Sequence, residues 1–378
     1  MIFKNILYRV IFVINIFCLL GLAFAYSALF VSPEKFWVSA FFGLSFPILL
    51  LVNLFFFFFW LIFKWKFALF SGVFILAGFT KLTDLFQWRT SPETQLIEKW
   101  KDQDSTIEVL SYNVRLFDLY NWSNNKLTRN SIMDLIQKEN ADIICLQEFF
   151  YEDAGKFNTL DTLLQIQQAT NYHIEHSAHV KKVNHWGIAT FSKYPIVSKG
   201  MIHFKDSSDN ISMFTDVKAF GDTIRIYNLH LESIRFREKE YKAIKEITEK
   251  ETNPSLEDTK TIISRLRRAF IRRARQTDVI SKHIADCPYP VIVCGDFNDT
   301  PNSYTYHQIA NGLTDAFQSS GSGLGSTYTG SIPFLRIDYI LHSPNKFKSL
   351  YFDTNRKKYS DHFPISSILE YHPNASAP

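Results

Sequence analysis

The chain has 378 residues, is 46% hydrophobic and 21% charged, and carries 36 Phe with a formal net charge of +4, which excludes a disordered or collagen-like protein. Residues 1–90 hold 20 of those Phe, with 7 Lys/Arg against 2 Asp/Glu, and leave 34 basic against 35 acidic residues in 91–378. The surplus positive charge belongs to the N-terminal region, so the rest has no global basic field to draw in nucleic acid.

Residues 10–33 and 36–63 carry no charge, and each is long enough, at about 1.5 Å per residue, to cross about 30 Å of hydrocarbon. The sequence predicts transmembrane helices over about 10–31 and 37–63. A third candidate, 67–88, opens with 14 uncharged residues and reaches full length only with Lys81 and Asp84 at the interface. A cleavable signal peptide is the rival reading of the first, because Lys4 and Arg9 precede the apolar run and Ala23-Phe24-Ala25 resembles a cleavage site. Lys4 and Arg9 before the first span, with Lys64 and Lys66 after the second, place the N-terminus in the cytoplasm. If 67–88 crosses, residues 91–378 lie on the periplasmic side of a bacterial inner membrane; if it lies flat, they are cytoplasmic. The tight Lys64-Trp65-Lys66 connection favours crossing.

Residues 91–105 read as a polar linker, 106–370 as one catalytic domain and 371–378 as a flexible tail. Ile107–Tyr112, Ala141–Gln147, Thr223–Leu231 and Val291–Gly295 are short apolar, β-rich runs that end in polar residues. Thr128–Glu139, Phe157–Thr170 and Ser264–Ile284 have helical spacing of apolar residues, and the class is α/β or α+β. Gly321–Ser331 reads as a surface loop. In the last helix Ile262, Ile263, Leu266, Ala269 and Phe270 share one face, with Arg265, Arg268, Arg272 and Arg275 opposite. That basic face is either solvated or a patch for phosphate, anionic lipid or nucleic acid. Cys18, Cys145, Cys287 and Cys294 form no zinc or C-x-x-C pattern, and a disulfide framework is not expected.

The chemistry gathers at strand ends. Asn113 follows Leu110-Ser111-Tyr112, Glu148 follows Cys145-Leu146-Gln147, and His230 follows Tyr227-Asn228-Leu229. The C-terminal half adds Gly295-Asp296-Phe297-Asn298, Arg336-Ile337-Asp338-Tyr339 and Ser360-Asp361-His362-Phe363-Pro364. Taken singly, a strand-end Asn is a turn former, a Glu is exposed and a His is a satisfied core residue. In this order, at the ends of successive buried strands, they predict one cleft.

This series resembles the metal-dependent endonuclease/exonuclease/phosphatase superfamily, the DNase I-like proteins, over about residues 105–370. The resemblance implies a four-layer α/β/β/α sandwich, here preceded by an all-α transmembrane region of two or three helices. It implies Mg²⁺, with Mn²⁺ as a substitute, held by Asn113 and Glu148 with Asp361. By the same resemblance Asp296 orients or deprotonates the attacking water and Asn298 positions that water or a phosphate oxygen. His362 bonds the phosphate or relays a proton, Asp338 fixes its tautomer, and His230 is a further phosphate contact. These roles suit phosphate ester hydrolysis, which needs charge stabilisation, an activated water and help for the leaving oxygen. The inositol 5-phosphatase branch carries Trp-Cys-Asp-Arg where this chain has Arg336-Ile337-Asp338-Tyr339, which disfavours that branch.

Three functions compete. The leading one is a membrane-anchored phosphoesterase, with the bilayer as partner and a phospholipid headgroup or other phosphate ester as substrate. The second is a tethered nuclease, which needs Lys/Arg along a groove and a steep salt dependence. The third, a silent scaffold, expects loss of Glu148, Asp296 or His362, and all three are present.

Overall fold

A computed structural model of the chain describes residues 2–167, 171–180, 183–206, 210–234, 255–330 and 335–373. Its N-terminal region is helical: α1 (Ile2–Ser27), α2 (Pro33–Phe36), α3 (Val38–Leu44), α4 (Phe46–Phe63) and α5 (Trp65–Ala77). Two of these helices, over Ile6–Ser27 and Phe46–Phe63, are long and apolar enough to cross a membrane. The expected span over 37–63 is broken at Ser45, where the first turn of α4 holds Pro47, which has no N–H to continue the helix before it. Inside the bundle Asn15 donates to Ser71 Oγ (3.1 Å) and accepts from Trp60 Nε1 (3.0 Å), tying α1, α4 and α5 through buried polar groups.

The expected third span over 67–88 is not one helix. After α5 ends at Ala77, Phe79–Leu82 form a 3₁₀ turn and Phe86–Gln87 a short strand, β1. The reason is polar: Asp84 is buried and accepts from Lys81 (3.2 Å) and Gln318 (2.6 Å), so this segment turns into the next domain. The stretch read as a linker likewise holds a helix, α6 (Thr94–Lys101), fastened to the following strand by Lys101–Glu108 (2.8 Å) and Thr106 Oγ1 to the Trp100 carbonyl (2.7 Å).

Beyond it lie β2 (Thr106–Asn113), α7 (Thr128–Glu139), β3 (Ile143–Glu152), α8 (Thr159–Gln167), β4 (Asn171–Val180), β5 (Asn184–Ser192), β6 (Ile196–Ile202), β7 (Ser212–Ala219) and β8 (Asp222–His230). The chain continues with α9 (Leu256–Ala285), β9 (Val291–Asp296), α10 (Tyr304–Ile309), β10 (Thr314–Asp315), α11 (Ala316–Ser320), β11 (Gly323–Leu324), β12 (Asp338–His342), β13 (Phe347–Thr354) and β14 (Ile365–Tyr371). Among the described residues they form two six-stranded sheets, β13-β14-β2-β3-β5-β4 and β10-β12-β9-β8-β7-β6, plus the pair β1–β11.

Alternation along the strands makes four layers. Ile107, Val109, Ile143 and Cys145 face Ile224, Ile226, Ile292 and Cys294 between the sheets. Leu110, Tyr112, Ile144 and Leu146 face outward against Ile132, Ile136 and Leu163 of α7 and α8. Tyr227, Leu229 and Val293 face the other way, against Ile280 of α9 and Tyr306 and Ile309 of α10. Strands buried on both faces read as continuous apolar runs, which is why these four runs were legible. The fold is the α/β/β/α sandwich, preceded by helices.

Three expectations change. Ile263 is exposed rather than on the apolar face of α9, and the helix docks onto the N-terminal region through Phe270 on Phe41 (5.3 Å), Arg267 over Trp37 (5.3 Å) and Arg275 with Glu34. Its basic face is thus partly spent: Arg272 pairs with Glu232 (3.3 Å) and Arg275 also with Asp206 (2.9 Å). Within Gly321–Ser331, Ser326 and Thr327 are buried, not surface residues, because Thr327 caps the strand leading to Asp338; Ser331 lies outside the described residues. Tyr371 closes β14 and stacks on Phe220 (5.0 Å) instead of fraying, and 374–378 lie outside the described residues.

His342 ends β12 away from the cleft, 1% exposed, with no partner for either ring nitrogen among the described residues. Burial pushes its pKa down to about 4. A histidine kept neutral in the fold, but free to protonate at about 6.5 once unfolded, contributes stability that is whole above pH 6.5 and lost as pH falls toward 4. The loss is about 3 kcal/mol across that window. His342→Phe is expected to flatten this acid limb and raise the melting temperature; thermal melts in detergent between pH 4.5 and 7.5 check it, and parallel pH profiles for the two proteins would count against it.

Candidate active site

Strand register builds the cleft. In the second sheet β12, β9 and β8 lie side by side, with Asp338 opposite Asp296 and His230 opposite Asp296, so three of the expected site residues form a row at one sheet end. In the first sheet Asn113 of β2 stands beside Gln147 of β3, and His362 comes just before β14. Both sheets thus deliver polar ends to the same rim.

Local backbone does the aiming. The register of β3 against β5 jumps between Leu146 and Phe149, a bulge in which Glu148 takes a left-handed φ of 49° and turns its side chain out of the alternating pattern into the cleft. A left-handed φ costs about 1 kcal/mol in a residue with Cβ, and such strain gathers at functional positions. Gly295 (φ 141°) has no alternative residue, since a Cβ there would lie 2.0 Å from the Leu229 carbonyl oxygen. Below the rim Gln147 donates to Asn228 Oδ1 (2.8 Å), a buried bond that joins the two sheets.

Asp296 Oδ2 is the hub. It accepts from Asn113 Nδ2 (3.1 Å) and Asn298 Nδ2 (3.1 Å), with His362 Nε2 at 3.7 Å and His230 Nε2 at 3.8 Å. Asn113 Nδ2 also reaches Glu148 Oε1 (3.4 Å), and that oxygen is 3.9 Å from His230 Nε2. His362 Nδ1 lies 2.9 and 3.1 Å from the two oxygens of Asp338. Seven of the eight expected residues therefore meet around one point. The eighth, Asp361, is held off to the side by Arg115 (3.4 Å) and Ser360 (3.3 Å) and reaches Glu148 through charge alone. Asn298 is more constrained than expected, because its amide donates to Leu231 O (3.0 Å) and to Asp296, fixing that carboxylate.

The electrostatics are those of crowded carboxylates. Burial, then the charge of Asp361, pushes Glu148 up to about 7, tempered by its side chain's 34% exposure. Burial raises Asp296 as well, opposed by His362. His362 goes the other way: burial alone would lower it, but Asp338 and Asp296 together hold it well above the ordinary histidine value. Among the described residues, four carboxylates against two histidines and Arg115 leave negative charge in excess in a largely buried cleft, and that donor set fits a divalent cation. Asp296, Asp338 and His362 form one compact candidate group, with ligand atoms within 4.8 Å of one another. His362 Nδ1 and Asp338 already satisfy each other, however, so among the described residues the less engaged carboxylate is Glu148, which accepts only a long bond from Asn113 (3.4 Å).

Sequence reasoning missed several supports. Asn210 bonds the His230 ring (2.9 Å), and Ser360 Oγ donates to the Asn113 carbonyl (2.8 Å) while accepting from His362 N (3.2 Å). Thr327 Oγ1 accepts from Ile337 N (3.0 Å) and Asp338 N (3.1 Å). Ser360 sat inside a recognised motif and could have been named; Asn210 and Thr327 lie in loops with no local signal.

Human 2',5'-phosphodiesterase 12 is 26% identical over 250 residues, spanning 59% of this chain and 39% of that protein, and the rat protein of that name is 27% identical over 251 residues with the same shares. The chain thus spans well under half the length of these relatives. An endonuclease/exonuclease/phosphatase from Beutenbergia cavernae has a TM-score of 0.51 at 16% identity, covering 71% of this chain and 72% of that one. The human Nocturnin catalytic domain with bound sulfate has a TM-score of 0.50 at 19% identity, covering 72% and 95%. These two structures share the fold. A sequence model of a domain of unknown function matches residues 8–85, and one of the Endonuclease/Exonuclease/phosphatase family, whose members hydrolyse phosphate esters, matches residues 110–362. Because that second match takes in every residue of the cluster from Asn113 to His362, the chain belongs to the Endonuclease/Exonuclease/phosphatase family.

Proposed function

We propose that this chain is a membrane-anchored, Mg²⁺-dependent hydrolase of phosphodiesters or phosphomonoesters, with a phospholipid headgroup as its substrate. The observation that carries the chemistry is the convergence of Asn113, Asn298, His230 and His362 on one oxygen of Asp296, beside the Asp338–His362 pair.

Glu148 and Asn113, with Asp361 from the side, would hold Mg²⁺, or Mn²⁺ in its place, and the ion would neutralise charge on a phosphoryl oxygen. Asp296 takes the proton of the attacking water, and Asn298 keeps its carboxylate in place. His362, oriented by Asp338, gives a proton to the phosphate or to the departing oxygen as the P–O bond breaks in line with the attack. His230, held by Asn210, contacts a phosphoryl oxygen. Gln147–Asn228 and Thr327 hold the strand ends that carry these groups.

The lipid reading is supported by position. Asn302 follows Asn298 by four residues and donates to the Ala25 carbonyl at the end of α1 (2.8 Å), so the catalytic rim lies beside the N-terminal helices. Their lengths also support crossing by α5. Its 13 residues rise about 20 Å, and the 3₁₀ turn after it adds about 8 Å, close to the about 27 Å of the 18-residue α4. The last turns of α1 and the segment after α5 both contact the catalytic domain, which supports a position opposite Lys64 and Lys66, on the periplasmic side of an inner membrane. A nucleotide-type phosphodiester is the second reading, favoured by the similarity to 2',5'-phosphodiesterase 12.

The full chain in detergent, given a phospholipid panel, DNA and RNA, and a chromogenic phosphodiester, with Mg²⁺ or EDTA at several salt concentrations, separates these. Mg²⁺-dependent headgroup release with little salt sensitivity is the expected result. Steeply salt-sensitive cleavage of nucleic acid would replace the lipid reading, and no turnover of any substrate would remove the hydrolase.

A further inference from the structure

The loops that carry the catalytic groups are held from outside their own domain. Asn302 is 4% exposed and donates to Ala25 O (2.8 Å), and its own carbonyl oxygen lies so close to Gly43 that a Cβ there would come within 2.6 Å of it and 2.8 Å of Ala28 Cβ. Between Asn302 and the catalytic Asn298 stands Asp299, buried against Arg273 (2.9 Å) and Thr305 (3.0 Å). The second catalytic loop is treated alike. Arg336, 1% exposed and two residues before Asp338, donates to the Asp84 carbonyl beyond α5 (2.9 Å) and pairs with Asp315. The Tyr339 hydroxyl then joins the two loops, within 2.8 Å of both the Asp299 and the Arg336 carbonyl oxygens.

A simple tether would need none of this. An anchor that only keeps the domain near the bilayer can dock through any surface, as Arg275 does with Glu34 while remaining 50% exposed. The buried contacts instead fall on the loop that follows Asp296 and carries Asn298 and on the loop that leads into Asp338, where a displacement of about 1 Å can cost a hundredfold in rate.

We infer that the N-terminal helical region is part of the catalytic centre: Asn302, seated on Ala25 and Gly43, and Arg336, seated on Asp84, are positioning residues for Asp296, Asn298 and Asp338. This inference rests on the hydrolase reading for its kinetic test but has a second readout that does not. The polar segment from Ser91 is then not the only connection between the regions, because the 78–89 segment contributes β1 and its own hydrogen bonds, Arg89 to Gln318 O (2.6 Å) and Gly325 N to Leu85 O (2.9 Å).

The test uses the full chain in detergent with a soluble chromogenic phosphodiester, so that access from a bilayer does not enter. Gly43→Ala and Asn302→Ala are expected to lower kcat about tenfold or more with KM within about twofold, whereas Arg275→Ala leaves both unchanged. Asn302→Gln, which keeps a donor on a longer arm, recovers part of the rate. Melting midpoints are recorded alongside, and hydrogen exchange over 296–303 is expected to quicken in Gly43→Ala and Asn302→Ala but not in Arg275→Ala. Wild-type kcat and exchange in the first two variants overturn the inference, as does an equal loss in Arg275→Ala. An inactive wild type would count against the hydrolase reading, and exchange would still decide this one.

Discussion

Replacing His362 with alanine is expected to lower kcat about a thousandfold, in the middle of the range for a positioned proton donor. Its Nδ1 is bonded to both oxygens of Asp338 and its Nε2 points toward Asp296 Oδ2, so the ring has one end fixed and one end free for the reacting phosphate. Alanine also strands Asp338, which is 2% exposed and would lose a charge-assisted bond, a loss that costs stability as well as rate. His362→Gln separates the two effects, because it can still donate to Asp338 without relaying a proton. Steady-state kinetics of both variants, with melting curves, form the check. A fall of less than tenfold in a folded His362→Gln protein would remove this residue from the chemistry.

Glu148→Gln is expected to cut kcat about a hundredfold at fixed Mg²⁺ and to raise the Mg²⁺ concentration needed for half-maximal rate. The same exchange has a consequence without turnover. A carboxyl pushed up to about 7 by burial and by Asp361 opposes folding of the metal-free protein increasingly as pH rises from its unfolded value near 4.3 toward 7. Gln removes that opposition. Metal-free Glu148→Gln protein is therefore expected to melt at or above wild type at pH 8, and the upward melting shift expected of wild type on adding Mg²⁺ is expected to shrink in the variant. A Mg²⁺ dependence and a Mg²⁺-induced melting shift equal to wild type would place the metal elsewhere, with Asp296, Asp338 and His362 as the next group to test.

The site was legible because its residues end buried strands. A run such as Val291–Gly295, apolar on both faces, can only lie between two packed layers, and the first polar residue after it, Asp296, emerges at the rim. What the sequence did not carry was contact between distant segments. Asp84 looked like an interfacial charge on a third span, yet its carbonyl serves Arg336, which lies 252 residues later. Thr327 sits in a stretch of Gly, Ser and Thr that has the composition of a surface loop, and its burial depends wholly on the strand it caps. Glu148 was named, but its left-handed backbone was not, since a bulge is set by the partner strand's register rather than by local propensity.

The bond between Asn302 and Ala25 spans 277 residues of sequence. A chain is made from its N-terminus, and its domains form in that order, so α1, α3 and the segment around Asp84 exist before Asn302 or Arg336 has been synthesised. The late strands β9 and β12 then close onto a surface already in place, which supplies a template for the slowest, longest-range contacts of the sandwich. The N-terminal helices would on this view also shorten the domain's search for the native state, and refolding of the domain without them would be slow for reasons of topology rather than of stability.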